Sequence, residues 1–77
     1  MYNQYLLTGA TGFLGRAVAE ELVRRGDRVR GLVLPGDPYS DLLPGEVERA
    51  PGDVCDEDAL GAFFAQADSN TCVIHCA

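Results

Sequence analysis

Three glycines at fixed spacing, Gly9-x-x-Gly12-x-x-Gly15, join a strand-forming run to an amphipathic helical run, and this junction constrains the fold more than any other feature of the chain. Tyr5-Leu6-Leu7-Thr8 is rich in strand formers and runs straight into Gly9-Ala10-Thr11-Gly12, as a strand stopped by glycine does. From Leu14 the period changes. Leu14, Val18 and Leu22 repeat every four residues with Ala17 and Glu21 beside them, which predicts one apolar stripe on a helix. Glu20 and Glu21 stand four residues before Arg24 and Arg25, the favoured order for helical ion pairs. The two Arg suit the negative end of the helix dipole, and Gly26 suits the position just past the helix end. Glycines at such a junction let the backbone turn tightly and approach a ligand, and the free N–H groups of the helix start favour an anion such as a pyrophosphate. The spacing alone is weak, since a plain tight turn could use it. Its place between strand and helix gives it weight.

The rest of the chain repeats the alternation. Arg28 to Leu34 reads as a second strand, nearly continuous in apolar residues after Arg30, as a strand covered on both faces would be. Pro35-Gly36-Asp37-Pro38 ends it, and Ser40 to Leu43 has room for one helical turn before Pro44-Gly45. Val47 to Ala50 reads as a weak third strand. Pro51 lacks the ladder donor, so this strand is expected at a sheet edge or to end there. Asp56 is a good N-cap, Glu57 and Asp58 bring negative charge to the first turn, and Leu60, Phe63, Phe64 and Ala67 would form the buried stripe of a second helix. Gly61 weakens that helix by about 1 kcal/mol relative to Ala. Cys72 to Cys76 is a last apolar strand. No internal repeat, low-complexity tract or linker interrupts the series. Strand, helix, strand, loop, strand, helix, strand implies a parallel sheet with right-handed crossovers, the first part of a doubly wound fold.

Composition narrows the function. Seventy-seven residues allow at most one small domain. Six Arg, no Lys and twelve acidic residues give a net charge of −6, without the basic face that a nucleic-acid binder needs. No apolar stretch approaches the roughly 20 residues of a membrane span, and the N-terminus lacks a signal-peptide pattern, so a cytoplasmic location and no membrane partner are expected. Cys55, Cys72 and Cys76 form an odd, small set that reads as reduced thiols. Cys72, His75 and Cys76 look like metal ligands in print. On a strand, however, the two Cys lie roughly 13 Å apart and His75 faces the other way, which excludes both a shared zinc and a disulfide.

With these residues in place, the chain resembles the N-terminal part of the extended short-chain dehydrogenase/reductase family, the NAD-dependent epimerase/dehydratase group. Thr8-Gly-Ala-Thr-Gly-Phe-Leu-Gly15 is similar to its T-G-x-x-G-x-x-G fingerprint. Gly52-Asp53-Val54 followed by Asp56 and Leu60 is similar to its G-D-[VIL]…D…L segment, and Val73-Ile-His-Cys-Ala77 to its V-[IF]-H-x-A-A segment without the last Ala. The resemblance implies a Rossmann-type doubly wound sheet of spatial order 3-2-1-4, here incomplete, with residues 1–77 as an N-terminal dinucleotide-binding segment. It implies NAD or NADP as cofactor. Gly9, Gly12 and Gly15 would shape the loop, and Phe13 and Leu14 would offer N–H groups to the pyrophosphate. Thr11 and Arg16 would join the cofactor-binding set. Asp53 would accept from the adenine amino group while Val54 packs on the ring, and Cys76 and Ala77 would line the adenosine ribose and lead toward the nicotinamide.

Several positions stay open at this level. Asp53 is equally a turn-forming residue after Gly52, and Asp56 reads better as an N-cap than as a ligand contact. Arg16 is a cation in a first helical turn, either answering a bound anion or simply solvated. In the family an acid ending the second strand pairs with the ribose of NAD, and a base there favours NADP. Val33 and Leu34 occupy those places and do neither, while Asp37 could reach back to a ribose but, after Pro35-Gly36, reads mainly as a turn residue. The family's catalytic Tyr-x-x-x-Lys has no counterpart, since Tyr2, Tyr5 and Tyr39 are the only tyrosines and Lys is absent. The chain is therefore expected to be inactive alone: either the cofactor-binding fragment of a larger oxidoreductase, epimerase or dehydratase, or a non-catalytic module completed by another chain. Adenine nucleotides are expected to bind weakly, and self-association through the open edge of the last strand is expected.

Overall fold

A computed structural model describes residues 2–65 and 67–76. Four strands, β1 (Gln4–Thr8), β2 (Arg28–Val33), β3 (Glu48–Pro51) and β4 (Thr71–His75), alternate with two helices, α1 (Phe13–Arg24) and α2 (Glu57–Phe64). All pairings are parallel and the spatial order is β3-β2-β1-β4, as the alternation, the proline-ended third strand and the family resemblance together predict. Register places Leu6 beside Arg30 on one side and Val73 on the other.

Side chains alternate across a strand, so Leu6 and Leu7 point to opposite faces, and both are 0% exposed. Each face therefore carries its own core. On one, Leu7, Val29 and Val33 pack with Ala19 and Leu22 of α1 and with Leu43 and Val47 from the segment before β3. On the other, Leu6, Leu32 and Ala50 pack against Phe63 of α2, with Leu60 beside it. Phe63 is 1% exposed, and burial of such a ring contributes about 2–3 kcal/mol. Arg30 shares this face, with its guanidinium 5.9 Å from the Phe63 ring centroid and its Nε 3.3 Å from Glu48 Oε1.

The helices correct the expected stripes. The residues of α1 buried against the sheet are Gly15, Ala19 and Leu22, while Leu14 is 62% exposed. Gly15 carries no side chain because α1 starts against the backbone of Gly9 and Ala10, where nothing larger fits. α2 ends at Phe64, which is 36% exposed, and Ala67 lies past the helix and is exposed. Phe63 alone carries most of that contact. Gly26 does terminate α1: at φ 84° its N–H reaches Val23 O and the next N–H, of Asp27, reaches Leu22 O, a Schellman arrangement. Glu21 takes both Arg24 and Arg25, with N···O distances of 2.5 and 2.9 Å. Hydrogen bonding to Arg24 first, and then to Arg25, holds the Glu21 carboxyl below its usual pKa. Among the described residues no helix is long and apolar enough to cross a membrane.

Candidate functional site at the strand ends

Parallel strands bring their C-terminal ends to one rim, and in open sheets of this kind ligands bind in the crevice outside those ends. Here that rim carries the glycine loop. Gly9 adopts φ 66°, a left-handed conformation that glycine takes without penalty, and its carbonyl accepts the Gly12 N–H at 3.2 Å. Gly15 sits against the same residue: a Cβ there would lie 1.9 Å from Gly9 O and 2.7 Å from Gly9 C. Only glycine fits. Gly12 is different, with φ −73° and ψ 169° and a nearest neighbour 3.5 Å from a built Cβ. Neither packing nor backbone geometry requires glycine there, and the space outside it is open.

The two helix starts contrast. In α2 the Asp56 carboxylate caps the N–H groups of Asp58 and Ala59, and Glu57 and Asp58 fill the first turn. α1 has no side-chain cap on Gly12 and no acid in its first turn. Its first backbone bond runs from Arg16 N–H to Gly12 O at 2.9 Å, which leaves the N–H groups of Phe13, Leu14 and Gly15 without helical acceptors. Helix dipoles favour negative charge at such an end. The chain supplies none there itself.

Beside the loop lies a cleft of about 140 Å³. It is lined by Gly9 and Thr11, by Leu32, Leu34 and Asp37 at the end of β2, and by Gly52, Asp53 and Val54 after β3. Asp37 arrives through a tight turn. Pro35 and Gly36 occupy its centre, Gly36 has φ 78°, and Asp37 N–H returns to Leu34 O at 3.1 Å, the pattern of a type II turn. One Asp37 oxygen accepts the Tyr39 N–H at 2.9 Å, capping the short 3₁₀ helix Pro38–Leu42, and the other accepts the Thr11 hydroxyl at 2.7 Å. Asp53 also closes a turn, with Oδ1 accepting the Cys55 N–H at 2.9 Å. A neighbouring cleft of about 310 Å³ shares Leu34 and Asp37 and is bordered by Arg49. The Arg49 guanidinium bonds to Ser40 Oγ and to the carbonyls of Ser40, Leu43, Pro44 and Val47.

The structure thus brings Gly9, Thr11, Asp53 and Val54 together in one cleft, while Gly12, Phe13, Leu14 and Gly15 form the adjoining helix start. Phe13 is 87% exposed. Arg16 is partly buried and its Nε has no hydrogen-bond partner. Cys76 lies elsewhere: its N–H bonds to Thr8 O at 3.1 Å and its side chain packs on the α1 core rather than lining the cleft. Thr8 Oγ1 bonds to His75 Nδ1, which ties the ends of β1 and β4 together. Ala77 lies outside the described residues. Among these residues no three His, Cys, Asp or Glu side chains converge to hold a metal ion. Leu34, which can pair with neither a ribose nor a phosphate, lines the cleft, and so does Asp37, which the sequence reads mainly as a turn residue. Both aspects of Asp37 meet in the Leu-Pro-Gly-Asp turn, because a type II turn reverses the chain.

The profile of the NAD dependent epimerase/dehydratase family matches residues 5–77. The chain is 44% identical over 70 residues to divinyl chlorophyllide a 8-vinyl-reductase, a chloroplastic protein of Zea mays, covering 78% of this chain and 17% of that protein. It is 42% identical over 73 residues to ketoreductase sphI of Aspergillus fumigatus, covering 92% of this chain and 22% of the relative. The chain thus spans about a fifth of the length of these curated relatives. The crystal structure of gox2253 superposes with a TM-score of 0.82 at 39% identity, over 97% of this chain and 22% of that one.

Proposed function

The chain belongs to the NAD dependent epimerase/dehydratase family, and from that premise we propose that residues 1–77 are the NAD(P)-binding segment of an oxidoreductase, epimerase or dehydratase. The pyrophosphate lies on the bare N-terminus of α1, where the N–H groups of Phe13 and Leu14 meet it and the absent side chain of Gly12 lets it approach. That unfilled helix start, beside a cleft and unlike the Asp56-capped α2, is the observation that carries the reading. The adenosine occupies the cleft, with the remaining Asp53 oxygen accepting from the adenine amino group and Val54 against the ring. Arg16, with an unpartnered buried Nε, adds positive charge near the phosphates. Gly9, Thr11 and Gly15 hold the loop in shape. When bound, the dinucleotide supplies hydride transfer. The residues named here bind and orient its ADP half, and a family Tyr-x-x-x-Lys pair has no counterpart among them.

Calorimetric titration with NAD and ADP tests this against Gly12→Val. The variant retains the fold, because the site has room for a side chain, and loses both ligands. Undiminished binding by a folded Gly12→Val protein would refute the assignment of the loop.

A further inference from the structure

We propose that Thr11 is a positioning residue of the cleft beside the glycine loop: its hydroxyl latches the segment that follows β2 onto that loop and so holds one wall of the cleft in place. The inference rests on the dinucleotide site proposed above and assigns what keeps its adenosine half formed before a ligand arrives. The wall in question runs from Leu34 to Leu42. It leaves β2 through the Pro35-Gly36 turn, reaches the cleft at Leu34 and Asp37, and continues into the 3₁₀ helix Pro38–Leu42.

Three observations assign Thr11 this role. First, the wall has no apolar anchor of its own. No residue of the 3₁₀ helix is buried, Leu34, Tyr39 and Leu42 are 49, 56 and 52% exposed, and a Cβ on Gly36 would meet nothing within 4 Å. A segment with so few buried apolar contacts is held by its hydrogen bonds and opens easily when they are lost. Second, those bonds divide the wall into two ends. Arg49 takes the Ser40 hydroxyl and carbonyl, which anchors the far end to the segment before β3. At the near end, among the described residues, the Thr11 hydroxyl to Asp37 Oδ2 at 2.7 Å is the one hydrogen bond between the wall and the glycine loop. Its acceptor is a carboxylate, which makes it a strong one. Third, both ends of that bond are well placed to transmit position. The loop is wedged against α1 through Gly9 and Gly15, and a β-branched Thr has few rotamers, so the hydroxyl is aimed from a fixed post. The other Asp37 oxygen accepts the Tyr39 N–H, so the carboxylate that Thr11 holds is also the cap of the 3₁₀ helix.

Thr11→Val keeps the branched shape and removes the hydroxyl, while Thr11→Ser keeps the hydroxyl. Each is titrated with ADP, which fills the cleft, and with inorganic pyrophosphate, which meets only the loop and helix start. Thr11→Val should weaken ADP about tenfold, the worth of one hydrogen bond to a charged group, and at least about threefold more than it weakens pyrophosphate. Thr11→Ser should return ADP to within about twofold of wild type. In the ligand-free protein, amide exchange between Gly36 and Leu42 should quicken in Thr11→Val and not in Thr11→Ser. Asp37→Ser still caps the 3₁₀ helix but is too short to reach Thr11, so in that background Thr11→Val should cost less than about a further twofold. Thr11→Ala serves with the same expectations if Thr11→Val does not fold. Equal losses of ADP and pyrophosphate, or full additivity with Asp37→Ser, would show that Thr11 acts on the phosphates directly and overturn the proposal. A wild type that binds both ligands, with ADP no weaker in Thr11→Val, overturns the positioning role alone; a wild type that binds neither overturns the dinucleotide site and this role with it.

Discussion

Replacing Gly15 by Ala adds one methyl group, yet the structure predicts one of the most destabilising substitutions available to this chain. The new Cβ would lie 1.9 Å from Gly9 O, 2.7 Å from Gly9 C and 2.9 Å from Ala10 Cα. An ordinary contact is about 3.5 Å, so the helix and loop must separate by roughly 1.5 Å. All three obstructing atoms are backbone, and no rotamer change relieves them. Overpacking costs about 1–3 kcal/mol, and a backbone obstacle places this case at about 3. A 77-residue domain has about 4–12 kcal/mol in total. At about 4–8 °C per kcal/mol the melting temperature should fall by about 12–24 °C. Gly12→Ala is the control. Its backbone suits Ala and the methyl group meets nothing closer than 3.5 Å, which favours the folded state by about 0.4–1 kcal/mol through the unfolded chain. Ala is a poorer N-cap than Gly by a similar amount, so the two effects offset and the stability should hardly change. Thermal and urea melts followed by circular dichroism decide the matter. A Gly15→Ala melting temperature within about 3 °C of wild type would show that α1 moves off the loop freely, and the close-approach argument would be wrong.

Two further outcomes follow from side-chain geometry. Arg49→Lys keeps the charge but not the planar fork that reaches Ser40 and the carbonyls of Leu43, Pro44 and Val47, so it should cost about 2–3 kcal/mol and speed amide exchange between residues 38 and 47; a Lys variant as stable as wild type would contradict the clamp. The Glu21 carboxyl, held below its ordinary value of 4.5 by Arg24 and Arg25, contributes stability that is present above that value and is lost as pH falls through its own lowered midpoint. A carbon-13 titration should show the Glu21 midpoint below 4.5, rising in Arg24→Ala and in 1 M salt; a wild-type midpoint at or above 4.5 would refute the pairing.

Element sequence was legible because it depends on period and punctuation, whereas the sheet order needed the family resemblance as well. Pro51 marks an edge strand, Gly26 a helix end and Asp56 a helix start, each through local backbone chemistry that tertiary contacts do not override. The face of α1 was not legible in the same way. A hydrophobic period counts Leu14 as core, but the distance of closest approach is set by Gly15 against Gly9, a contact between residues whose missing side chains leave no apolar signal. α2 was misjudged for a similar reason: eight residues give only two turns, so a single aromatic, Phe63, faces the sheet and Phe64 does not. At the site, the glycine spacing and Gly52-Asp53-Val54 were visible as motifs. Asp37 was legible as a turn residue able to reach back, but its fixed position was not, because the Thr11 hydroxyl that holds it lies 26 residues away in the chain.

The interlock of Gly9 and Gly15 also bears on how binding divides between enthalpy and entropy. A loop wedged against its helix start has its conformation fixed when the chain folds, so a ligand arriving there does not have to order it. The loss of backbone freedom, about 1–2 kcal/mol for each residue fixed, is charged to the folding equilibrium rather than to association. Ligands that touch only the loop and helix start should therefore bind with fast, single-step kinetics and leave the amide spectrum of Gly9 to Gly15 shifted but not sharpened.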